Sequence, residues 1–265
     1  PVACACSGNS AQPEADASFS TDSVSIRDSV IVSHSKATVE IRGLYPSAGP
    51  QALLDSTRMW LAGRLCAGAG YTNFVIPSAD SFPADGNGLI TAVADSLCTM
   101  AAADFEGFMA DSIFTNYEFS YSFAPRFMTD SILTYSFNGY GYMGGAHGGT
   151  QAVGQTFAVA DGHMLTFTNS FRSDKTDELL TLIKQGLWEQ YFSNDGASSF
   201  AECLLIDPDS MTLPAAAPEF IADGVAITYG QYEIACYAAG MPSCILSYDV
   251  IRPLLTPETA RLIIW

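Results

Sequence analysis

Positive charge is scarce in this chain: 11 Lys and Arg stand against 28 Asp and Glu, for a net charge of −17. A field of that sign repels phosphate backbones and anionic headgroups, so neither nucleic acid nor a polybasic membrane contact is expected. It would steer a cationic partner toward the surface, and it also serves solubility on its own. Long apolar runs are missing too. No stretch of about 18 consecutive apolar residues occurs, so no transmembrane helix is expected, and nothing near the start resembles the apolar region of a signal peptide.

Catalytic signatures are equally sparse. There is no G-x-S-x-G elbow, no H-E-x-x-H, no phosphate loop ending in Gly-Lys-Ser or Gly-Lys-Thr, and no G-x-G-x-x-G between a strand and a helix. The 3 histidines, His34, His147 and His163, lie in different segments. Asp161 and His163 stand beside a turn where an ion could be shared, but such residues are more often solvated, so no metal and no cofactor is expected. Asp207-Pro208-Asp209-Ser210 lacks the glycine and distal glutamate of an EF-hand loop. None of the 7 cysteines forms a C-x-x-C pair, which argues against a zinc ribbon or a thioredoxin-type site. Cys66 and Cys98 read as buried thiols in helical patterns, whereas Cys236 and Cys244 could face each other across a hairpin.

What is present is a globular composition, with 48% apolar and 15% charged residues over 265 positions, enough for two small domains. Pro1-Val2-Ala3-Cys4-Ala5-Cys6-Ser7 and the polar tract after it match the start of a mature bacterial lipoprotein, with Cys4 or Cys6 as lipid anchor and residues 1–22 as tether. Strand patterning runs over 23–40. Pro50 then opens a helix with a stripe of Leu53, Leu54, Met59, Trp60, Leu61 and Leu65, closed by Gly68 and Gly70, and a second helix covers 89–109. Period two returns over 116–142, with Phe119, Tyr121 and Phe123 on one face and a turn at 128–131. Further on, hairpins are expected around Asp161-Gly162 and Asp223-Gly224, with a helix from Asp174 between them and a strand and helix at the C-terminus. Helices and hairpins are segregated, so the class is α+β.

The most informative stretch is 139–150, Gly-Tyr-Gly-Tyr-Met-Gly-Gly-Ala-His-Gly-Gly-Thr, with 6 glycines around Tyr140, Tyr142 and His147. His147 beside Gly144 and Gly145 is open to a ligand and could act as acid or base. The structural alternative is that it bonds a carbonyl or a tyrosine and locks the loop, which we favour because no nucleophile or second acid is tied to it by spacing. A second cluster spans Tyr229 to Gly240. If it is one unbroken strand, alternation puts Tyr229, Glu233 and Tyr237 on the same face, where they line a groove or pack on a helix.

Tyr142-x-Gly144-Gly145-Ala146-His147-Gly148, followed by Tyr232-Glu233-Ile234-Ala235-x-Tyr237-Ala238-Ala239-Gly240, resembles the C-terminal extracellular domain of RsiV-type anti-sigma factors and PdaC-type peptidoglycan deacetylases. The resemblance runs from about Tyr135 to Leu262, with Cys236 where the family's proline is expected, and the segment before it looks like the usual companion domain. It implies an exported, envelope-facing module that binds lysozyme in one relative and is accessory to a catalytic domain in another. The sequence shows neither a sigma-binding segment nor a deacetylase's His-x-x-x-His motif, so neither full activity transfers.

The expectation is therefore two small α+β domains, 23–134 and 135–265, each with antiparallel hairpins packed on helices. The function expected is a non-enzymatic cell-envelope binding protein, periplasmic or on the outer surface, that meets the membrane only through its anchor. Its partner would be a basic lysozyme-like hydrolase or peptidoglycan, met through Tyr140, Tyr142, Gly144, Gly145, His147, Tyr229, Tyr232, Glu233 and Tyr237. The alternative is a cell-wall hydrolase or deacetylase accessory enzyme that uses His147 as base, with Glu233 or a tyrosine assisting.

Overall fold

The computed structural model describes residues 18–67, 86–109, 114–193 and 197–263. The lipid-anchor candidates Cys4 and Cys6, most of the tether, and Gly68 and Gly70 lie outside them. Strand patterning at the start resolves into a long hairpin. Strands β1 (Ser20–Val32) and β2 (Ser35–Ala48) pair antiparallel through a two-residue turn, Ser33-His34, with Ser33 at φ 56°. Helices α1 (Gln51–Ala67) and α2 (Gly86–Met109) follow, and strand β3 (Asn116–Met128) then runs parallel to β2. Parallel neighbours need a crossover, and the helical stretch between β2 and β3 makes it. Strands β4 (Ile132–Tyr142), β5 (Gly149–Ala158) and β6 (Met164–Leu165) extend the sheet antiparallel, in the order β1-β2-β3-β4-β5-β6.

Alternation along the strands decides what each face buries. Tyr117, Phe119, Tyr121 and Phe123 of β3 and Leu133, Tyr135 and Phe137 of β4 meet Leu53, Trp60, Leu61 and Leu65 of α1 and Ile90, Val93, Leu97 and Phe105 of α2 in one core. Each fully buried side chain of this size contributes roughly 1.5–3 kcal/mol. Among the described residues α2 is the one helix long and apolar enough to cross a membrane, and here its apolar stripe is core against the sheet. Met59, which the helical stripe includes, is instead 46% exposed. Cys66 and Cys98 are buried free thiols, as their patterns suggest.

A second, three-stranded sheet is made of β7 (Glu219–Ile221), β8 (Gly224–Thr228) and β9 (Ser243–Leu246), in the order β7-β8-β9. Its core takes Leu179, Ile183 and Leu187 of α4 (Thr176–Leu187), Phe220, Val225 and Ile227 of the hairpin, and Ile251 and Leu254 near the C-terminus. Between β6 and α4 stands a single helical turn, α3 (Phe167–Ser170). The C-terminal helix breaks at Pro253 into α5 (Tyr248–Ile251), a tight turn, and α6 (Pro257–Leu262). Both regions are thus α+β, with antiparallel hairpins packed against helices.

Strands β4 and β5 of the first sheet contribute to both cores. Ile132 and Ala158 join the second core, while Leu133 and Phe157, one position away on the same strands, lie in the first. The hydroxyl of Thr134 donates to the Phe220 carbonyl, and the Phe220 N–H donates to Thr156 Oγ1 at 3.0 Å. At the same seam β3 carries a bulge between Pro125 and Phe127, and Arg126 there reaches the buried carboxylate of Glu219. The boundary drawn at 134/135 falls inside β4.

Two expectations are overturned. Residues 229–237 do not form a strand: they fold into turns with Tyr232 at φ 63°, followed by a tight helical turn at Tyr237–Ala239. The cause is polar and tertiary, because the Glu233 carboxylate accepts the N–H groups of Gly230 (2.7 Å) and Ala215 (2.8 Å) and bends the chain back on itself. Cys236 and Cys244 do not face each other either. Cys236 is exposed, while Cys244 is buried beside the Ile183 carbonyl in the second core.

Candidate functional site

The turn between β4 and β5 is shaped by its glycines and two tyrosines. Gly144 and Gly145 sit at φ +87° and +88°, a region costly for any residue with a Cβ. The Tyr142 hydroxyl donates to the Gly145 carbonyl at 3.0 Å, and Gly148 lies so close to the Tyr140 ring that an added Cβ would come within 2.5 Å of it. This packing pushes His147 outward. Its ring stacks on Tyr237 with centroids 3.7 Å apart and planes 19° apart. Nδ1 lies 3.2 Å from the Gly148 carbonyl, which only accepts, so Nδ1 carries the proton and Nε2 accepts from the Tyr232 hydroxyl at 3.2 Å. Tyr232, 54% exposed, sits 5.8 Å from Tyr237, and the three rings form an exposed ledge. A further tie joins the two segments: the Thr150 N–H donates to Gln231 Oε1 at 2.8 Å.

The nine residues singled out in the sequence thus separate by job. His147, Tyr232 and Tyr237 form the ledge, while Tyr140, Tyr142, Gly144 and Gly145 shape the turn beneath it. Glu233 is the clip described above. Tyr229 is buried in the second core, where its hydroxyl donates to the Thr212 carbonyl at 2.7 Å and burial pushes its titration upward. It therefore does not share a surface with Glu233 and Tyr237.

Among the described residues no group of three or more His, Cys, Asp and Glu side chains gathers as metal ligands would. His163 Nδ1 contacts Asp161 Oδ1 at 2.6 Å on the surface, and the His163 N–H and ring hold that carboxyl below its usual range. Asp207 caps a short helical turn by accepting the Asp209 N–H.

Beside the ledge opens a cleft of about 910 Å³ that the sequence reading did not anticipate. Its walls are α1, with Met59, Trp60 and Arg64, and the segment 213–217; its floor is the outer edge of β5 from Thr150 to Gln155. Its one trace in the sequence is the Ala- and Pro-rich stretch before β7, too irregular to be an element; the solvent-facing side of Met59 shows only in the structure.

No family model and no curated protein matches this sequence. Solved structures do. A DUF3298-family protein from Bacteroides fragilis superposes with a TM-score of 0.70 over 94% of this chain and 98% of that one, at 18% identity. A DUF3298-family protein from Pseudomonas aeruginosa does so with a TM-score of 0.60 over 91% and 96%, at 13% identity. The class is therefore an α+β fold found in bacterial DUF3298-family proteins. At these identities the likeness is one of fold.

Proposed function

We propose that this chain is a non-enzymatic cell-envelope protein that binds a basic, lysozyme-like hydrolase through the His147–Tyr232–Tyr237 ledge. The observation that carries the reading is the ledge itself. At the glycine-rich turn His147 stacks on Tyr237, and Tyr232 stands tilted beside both at the surface; exposed aromatic clusters of this kind are the usual anchors of protein interfaces. The net charge of −17 suits a cationic partner. Both ring nitrogens of His147 are engaged, which favours binding over a general-base role. The two motifs that resemble the RsiV/PdaC extracellular domain meet at this point, and that resemblance supports export, with an anchor at Cys4 or Cys6.

Size-exclusion chromatography of the chain with a basic lysozyme tests the reading. A complex should form at low salt and weaken at moderate salt. Tyr232→Ala, which removes an exposed ring, should weaken it about tenfold or more. No complex at either salt would overturn the proposal, and shifts on adding muropeptide fragments instead would move the assignment to peptidoglycan.

A further inference from the structure

The cleft beside the ledge has a floor that is unusual for a sheet edge. β6 covers the outer edge of β5 only at Thr156–Ala158, where Thr156 pairs with Leu165 and the Ala158 N–H donates to the His163 carbonyl. The chain then leaves, because Thr166 and Asn169 form a reciprocal capping box that starts α3. The β4–β5 register is unbroken, so backbone groups at every second residue from Ala158 back to Thr150 point to the same outer edge. The Thr150 N–H is taken by Gln231, and the Glu219 carboxylate lies against Gly154. Ala152 lies between them with its N–H and carbonyl facing the cleft, and no described residue bonds to them. Thr150 to Gly154 spans roughly 13 Å, the length of a four-residue strand.

Two side chains point the same way. Gln151 Oε1 is buried and has no hydrogen-bond partner among the described residues. Arg64 is half-buried, stands 6.0 Å from the centroid of the Trp60 ring, and has no carboxylate partner among the described residues. Only Arg64 and Glu233 among the cleft's residues carry charge, and the Glu233 carboxylate is held by the Gly230 and Ala215 N–H groups. The two charges lining the cleft cancel, but Glu233 is already held by backbone N–H groups whereas Arg64 has no carboxylate partner among the described residues, so Arg64 is the group an incoming carboxylate can pair with. The more distant acidic charges are screened beyond about 8 Å at physiological salt.

We propose that this cleft binds an extended peptide carrying a carboxylate, which adds as a strand to β5 at Ala152 in line with β6 and pairs its acidic group with Arg64. Main-chain bonds to Ala152 and to the Gly154 carbonyl set the register. Alternate side chains of the peptide meet Trp60 and Met59 on one wall and Leu213 and Ala216 on the other. A donor from the peptide satisfies Gln151. The site is separate from the aromatic ledge and does not rest on the lysozyme reading.

The probe is a pool of random hexapeptides, with free or amidated C-termini, passed over the immobilised full chain and identified by mass spectrometry. Retained peptides should carry a carboxylate in every case, and Arg64→Gln should weaken them tenfold or more, with Tyr232→Ala leaving them unchanged. An N-methyl scan of the tightest peptide leaves the protein untouched. Methylation at every second residue should abolish binding, and at the intervening residues it should be tolerated. No peptide retained above the Arg64→Gln background, or a methyl scan without that period of two, would overturn the proposal.

Discussion

From Thr156 to Ala158, β5 is buried on both faces and its outer edge is taken by β6; from Thr150 to Gly154 the same strand has one edge open to a cleft. The first end is a seam between two cores, with Phe157 facing the helices and Thr156 tied to the second sheet through Phe220. At the second end stand the Gln231 tie, the His147 ledge and the backbone of Ala152, which is unpaired among the described residues. What separates them is a local event, the capping box at Thr166 that turns the chain away after two residues of β6. An open edge is an aggregation hazard unless it is covered, bent or occupied, and here it lies recessed between α1 and the 213–217 segment.

The contrast can be broken most forcefully at the closed end. Phe157 is fully buried, with its ring edge-on to Trp60 at 6.1 Å, so Phe157→Ala should cost about 3–5 kcal/mol, read as a lower denaturant midpoint with an unchanged slope. Gly154 lies between the two ends. A Cβ there would fall 2.3 Å from the Glu219 carboxyl carbon, so Gly154→Ala should cost about 1–3 kcal/mol by displacing the Glu219–Arg126 pair.

A subtler effect concerns Glu219 itself. Burial raises its carboxyl above the ordinary 4.5, and the opposing pull of Arg126 and the Gly154 N–H is smaller. The stability this group contributes is complete below the unfolded value and is lost as pH rises through the raised one. Wild type should therefore lose stability relative to Glu219→Gln as pH climbs from about 4 toward neutrality. Paired urea titrations across that range check the sign, and a difference that grows the other way would mean that Arg126 outweighs burial.

Much of this arrangement is legible in the sequence where burial has a period. The stripe of Leu53, Trp60, Leu61 and Leu65, the alternation of Phe119, Tyr121 and Phe123, and the hairpin around Asp223-Gly224 all appear where their patterns place them. Legibility fails where a tertiary polar contact decides the path. Tyr229 to Tyr237 has the alternation of a strand, but Glu233 reaches Ala215, 18 positions away, and folds it into turns. The meeting of His147 with Tyr232 could be anticipated only as a turn near a neighbouring segment, since the two stand 85 positions apart. The cleft left almost no trace, because it is built from the exposed side of α1, a strand edge and an irregular loop.

Native-state amide hydrogen exchange along β5 tests the contrast most directly. The Ala158 N–H, bonded to His163, and the Val153 and Gln155 N–H groups, which face β4, should exchange near the rate of global opening. Ala152 should exchange orders of magnitude faster and become protected when a peptide occupies the cleft. Protection at Ala152 equal to that at Ala158 in the free protein would contradict an open edge.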